Sequence, residues 1–173
     1  MAAHIDAHLH LSCDGEAGLQ LLVDLDLKLL NISVPTPERE RWRARTAVFR
    51  SLAAQHPDRF AWVAGFDLPT WDTDGNLEAD YAARAIAGLE ENLAAGAVGV
   101  KIWKNVGMEL VKPSGEFLMV DDPLYDPIYD FLEAKDPTLL LHIGEPLACW
   151  MPLDDPEDPH YGYYSRNRQW HMY

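Results

Sequence analysis

The chain has 173 residues, 48% of them hydrophobic and 24% charged, which fits one globular domain with a real buried core. Its 28 acidic and 14 basic residues leave a net charge of -14, a surface that repels nucleic acid phosphates. Two cysteines form neither a disulfide framework nor a zinc pattern, and no basic-then-apolar leader or apolar run near ~18 residues is present, so a cytoplasmic protein without a membrane partner is expected.

The first apolar run, residues 3–8, reads as a strand and ends in Asp6-Ala7-His8-Leu9-His10. Strand side chains alternate faces, so this spacing predicts His8 and His10 on one side, with Asp6 and His4 in step. A helix is expected over 16–24, with Leu19, Leu22 and Val23 as its apolar face. Residues 28–34 (KLLNISV) read as a second strand, stopped by Pro35 and Pro37. Thr36 is the expected N-cap of an amphipathic run over 38–55 carrying Trp42, Val48, Phe49 and Leu52.

A third strand is expected over 60–66, a long helix over 77–95 and a fourth strand over 98–103. The loop over 104–122 has a hairpin signal at Pro113-Ser114-Gly115. A helix over 124–134 then leads to a fifth strand over 138–143. Short apolar strands separated by helices predict a parallel α/β sheet. The rhythm stops at Gly144, so residues 1–143 read as one domain of βα units and 144–173 as a long aromatic, Pro- and Asp-rich loop or tail.

Ligands of parallel α/β folds bind at the carboxyl ends of the strands. His8 and His10 end the first strand there, Lys101 the fourth and His142 the fifth. Neutral imidazole is a common metal ligand, and three histidines with an open position match catalytic zinc, so these three are the candidate metal ligands. Lys101 is the candidate catalytic residue, either as an ammonium holding an anionic substrate or as a carbamate. Asp67 and Glu145 can orient a ligand or act as base, though a turn cap beside Pro69 is the better reading for Asp67. Asp6 is read as orienting a ligand or as a satisfied core carboxylate. Cys13 and Cys149 lack a histidine-paired nucleophile motif and read as buried or spectator thiols.

Taken together, Ile5-Asp6-Ala7-His8-Leu9-His10, Gly96-Ala97-Val98-Gly99-Val100-Lys101 and Leu139-Leu140-Leu141-His142 resemble the amidohydrolase superfamily. Within it they are closest to the amidohydrolase-related branch, which holds the aminocarboxymuconate-semialdehyde decarboxylase-like proteins. The first motif alone also fits TatD-type nucleases and PHP phosphoesterases; the lysine and fifth-strand motifs favour the amidohydrolase branch. The resemblance implies a (β/α)8 TIM-type barrel, here incomplete, with roughly the first five βα units. It implies a divalent metal, zinc, held by His8, His10 and His142, and a fourth-strand lysine at Lys101.

The implied reaction is attack of a metal-activated water on a carbonyl-type centre of a small molecule. Non-oxidative decarboxylation and a non-catalytic gene fragment are the alternatives. The family's sixth-strand histidine and eighth-strand aspartate have no counterpart here. Weak or no activity of the chain alone is therefore expected, with self-association through exposed barrel edges.

Overall fold

The computed structural model describes residues 4–11 and 15–173. Ala3, the expected start of the first strand, and Cys13 lie outside the described residues. The chain divides into two compact units, residues 1–142 and 143–173.

In the first unit the elements run β1 (His4–Leu9), α1 (Glu16–Asp24), β2 (Leu27–Ile32), α2 (Arg39–Gln55), β3 (Phe60–Val63), α3 (Tyr81–Ala94) and β4 (Gly99–Ile102). A single turn α4 (Asn105–Met108), α5 (Asp126–Lys135) and β5 (Thr138–Leu141) complete it. β1, β2 and β3 pair in parallel, as do β4 and β5. A parallel bridge from Ala64 to Val100 joins the two sets. There the Lys101 amide donates to the Ala64 carbonyl at 2.7 Å and the Ala64 amide to the Gly99 carbonyl at 2.9 Å. The strands therefore follow one another in chain order. The order never reverses, unlike a doubly wound sheet with its switch point.

The turns explain how short helices return to the next strand. Three helix-to-strand turns use a left-handed residue: Asp26 (φ 48) after α1, Gly96 (φ 94) after α3 and Asp136 (φ 52) after α5. Glycine, and less readily aspartate, tolerates that conformation, which closes a helix and reverses the chain.

The expected elements are all present, with edges that differ for local reasons. α2 begins at Arg39, one residue after Glu38, and no side chain caps it; the cap expected from Thr36 is not formed. α3 begins at Tyr81 rather than at residue 77. Asp72 Oδ1 accepts the Asp74 and Asn76 amides, both at 2.9 Å, and holds that stretch in a turn. Pro113-Ser114-Gly115 does form a hairpin, with Val111 bridging Phe117 and Gly115 at φ 88.

The larger core fills the space between the sheet and the helices. Trp62, Val100 and Ile102 from the strands meet Leu89 of α3 and Ile128 and Leu132 of α5. A smaller cluster joins Leu29 and Phe60 to Leu52 of α2, with Leu19 and Leu22 of α1 against it. Val23, expected on the same apolar face, is exposed.

The second unit contains a helix α6 (Tyr161–Tyr164) and 3-10 turns at Leu147–Trp150 and Arg168–Trp170. Cys149 is fully buried within it, its thiol donating to the Trp170 carbonyl at 2.9 Å. The Met172 amide donates to the Cys149 carbonyl at 3.0 Å, and Tyr164 packs edge-on to Tyr163.

Candidate active site at the strand ends

The end of β1 is built by a bulge. Asp6 is in register with Leu29 and Leu9 with Asn31, so three steps on β1 face two on β2. The extra residue interrupts the alternation and re-aims the side chains beyond it. Asp6 is therefore out of step with His8, against the simple parity expected for an unbroken strand. Its carboxylate is exposed, not a core group, and its Oδ1 accepts the His8 backbone amide at 3.0 Å.

Beyond the bulge the His8 and His10 rings meet edge to face, 5.2 Å between centroids. His10 Nδ1 lies 2.8 Å from the Ile32 carbonyl oxygen. A carbonyl only accepts, so Nδ1 carries the proton and donates. That bond fixes the ring and leaves Nε2 with its lone pair available, the arrangement that prepares a histidine to bind a cation.

Lys101 is 3% exposed, and burial lowers the pKa of its ammonium from the ordinary value. No carboxylate pairs with it among the described residues. On β5, Leu140 is in register with Lys101, and two residues on stands His142, whose amide donates to the Ile102 carbonyl at 3.1 Å. Alternation puts Lys101, Leu140 and His142 on one face. The His8 imidazole links these groups electrostatically. Partial burial lowers its pKa, then Lys101, His10 and His142 add to the effect, while Asp6 opposes it. The structure thus brings the four predicted side chains into one electrostatic neighbourhood at the ends of β1, β4 and β5.

The donor chemistry suits a divalent cation, because His10 offers a free Nε2 and His8 is biased toward the neutral form. A closed ligand set is not formed. Among the described residues, no group of three or more His, Cys, Asp or Glu stands close enough to hold a metal ion.

Asp67 corrects the expectation of a simple turn cap. It is 4% exposed, and Arg43 Nε donates to its Oδ1 at 3.1 Å while Arg43 Nη2 pairs with Oδ2. Arg39 Nε stands 3.3 Å from the same Oδ2. Arg39 also forks onto Glu78, which accepts from Thr70 Oγ1 at 2.8 Å as well. These bonds, the one from Arg39 foremost, pull the Glu78 carboxyl down to about 2. Asp67 is therefore an anchor in an arginine network. Glu145 belongs to the second unit.

Asn105 was not expected to matter. It is buried after β4, and its Nδ2 donates to the Pro35 carbonyl at 2.9 Å, tying the loop beyond β4 to the loop beyond β2. An asparagine three residues past a strand carries no pattern, so only the fold reveals it. The pair Arg39 and Arg43 did carry a signal, four residues apart on one helix face.

No family model matches the sequence, and no curated protein matches it at a significant level. Among solved structures, the chain is similar to the crystal structure of 2,6-dihydroxybenzoate decarboxylase from Rhizobium, with a TM-score of 0.59 at 17% sequence identity. The match covers 95% of this chain and 55% of that one, so the chain spans little more than half the length of the structure it matches. At that identity the likeness speaks for the fold: consecutive parallel βα units in the same arrangement.

Proposed function

We propose that the cluster His8, His10, Lys101 and His142 is the metal-dependent catalytic site of an amidohydrolase-type enzyme acting on a small anionic molecule with a carbonyl-type centre. The observation that carries this is the hydrogen bond from His10 Nδ1 to the Ile32 carbonyl, which leaves Nε2 of the neutral ring as its unprotonated nitrogen, in a ring that packs against His8. His8, His10 and His142 are the residues that would hold the cation. When bound, zinc supplies Lewis acidity and brings the pKa of a water toward neutrality.

The protein's own part is positioning. Lys101 offers three N–H donors from a buried stem and has no carboxylate to neutralise it among the described residues. It holds an anionic substrate group, a carboxylate or a developing oxyanion, against the histidines. Asp6 fixes the backbone of the bulge and Ile32 fixes the His10 ring.

Hydrolysis and non-oxidative decarboxylation both suit such a site. The decarboxylase reading is favoured by the fold likeness to 2,6-dihydroxybenzoate decarboxylase and by a buried lysine suited to a carboxylate. Metal content tests the site directly. Purified protein loaded with zinc and desalted is expected to retain up to one weakly held ion per chain, and to lose it in His8→Ala/His10→Ala. Unchanged metal content in that double variant overturns the assignment. Release of CO2 from a hydroxybenzoate, against water addition to an ester or amide, separates the two reactions.

A further inference from the structure

The groove between α2 and α3 forms a second concave site, which the proposed chemistry does not use. Its cavity is about 470 Å³, within the range of ~300–1,000 Å³ common for small-molecule sites. Small residues open it: Gly65 after β3, Ala47 of α2, and Ala85 and Gly88 of α3. Phe66 and Trp42 supply apolar surface.

Arg43, Arg50 and Arg84 line the same cavity. In a chain of net charge -14, three guanidinium groups on one cavity reverse the local sign. Asp67 and Glu91 also line it, and both are already engaged by Arg43 and by Arg50 at 2.9 Å. Asp67 is shared with Arg39 as well. Arg84 donates to the Ala79 carbonyl at 2.7 Å and pairs with Glu78 at 2.7 Å. A guanidinium carries five N–H donors, so these bonds orient the three groups without using every donor.

Trp42 also lines this cavity. It is 6% exposed, and its indole N–H is buried without a hydrogen-bond partner among the described residues. A buried N–H left unmade is expensive, so this wall of the cavity holds a polar group that its own packing does not satisfy.

We propose that this groove binds a small molecule with an oxyanion headgroup, phosphate or carboxylate, on a compact apolar body. The guanidinium groups take the oxyanion, and Trp42, Phe66 and the alanines take the body.

Isothermal titration of the full chain with phenyl phosphate and with benzoate tests this. Two variants reduce the site without attacking the buried Asp67 network. Arg50→Gln removes one half-exposed cation. Gly88→Leu fills the groove from a helical position where an added Cβ meets nothing within 4 Å. At least one probe is expected to bind, and tenfold or more weaker to each variant, while His8→Ala/His10→Ala leaves binding unchanged. The stronger probe identifies the headgroup. Failure of both probes to bind, or equal binding by the folded Gly88→Leu protein, overturns the proposal. Binding lost only in the histidine variant assigns the anion to the strand-end site and also overturns it.

Discussion

At the scale of single residues, two ionisable groups have opposite consequences for stability. Burial lowers the pKa of Lys101, so the folded chain binds its proton less tightly than the unfolded chain. Stability therefore rises with pH from the lowered value up to about 10.4, where the unfolded lysine also deprotonates. Lys101→Met keeps the length and removes the buried charge. It is expected to raise stability at pH 7 by roughly 1 kcal/mol, because no ammonium is then held away from water. Urea melts of both proteins at pH 7 and pH 9.5 check this; the gap should narrow at the higher pH. Glu78 behaves the other way. Its folded pKa of about 2 lies below the unfolded value, so its stabilisation is complete above about pH 4.5 and fades as pH falls toward 2. Glu78→Gln is expected to destabilise by about 1 kcal/mol at pH 7, after allowing for solvent screening, and by almost nothing near pH 2. A constant difference across that range contradicts the ion-pair account.

Elements depend on a few close approaches. Gly99 begins β4 where a Cβ would stand 2.6 Å from the Thr138 carbonyl oxygen of β5. Backbone cannot yield as a side chain does. Gly99→Ala should thus cost about 1–3 kcal/mol and loosen the β4–β5 pairing that carries Lys101 and His142. Denaturant midpoints combined with amide exchange of β5 measure both effects. Leu89, fully buried where α3 meets the core, offers a contrasting case. Leu89→Ala is expected to destabilise by about 2–5 kcal/mol through a cavity, with no selective loss at β5. Equal loosening of β5 in both variants would remove the special role given to Gly99.

For the whole molecule, the outer strands matter most. β1 pairs only with β2 and β5 only with β4 among the described residues. Ile5 is 69% exposed, and Leu139 and Leu141 are exposed too. Unpaired strand edges with apolar side chains favour association, and the charge of -14 opposes it. Concentration-dependent self-association is expected in sedimentation velocity, stronger at high salt where repulsion is screened, and reduced by Ile5→Lys with Leu141→Lys. A salt-independent monomer at all concentrations would contradict this.

Local sequence by itself determined much of this protein. Apolar runs and helical periodicity placed every strand and the main helices, because period and punctuation are local properties. The positions of His8, His10, Lys101 and His142 at strand ends came from the same reading. Only tertiary structure decided what surrounds those residues. The bulge that parts Asp6 from His8 arises from register with β2, and the His10 tautomer from a carbonyl 22 residues away. The engagement of Asp67 by two arginines, the link from Asn105 to Pro35 and the α2–α3 groove are likewise long-range. Each joins residues far apart in the chain, and no short pattern encodes a partner that folding alone brings near.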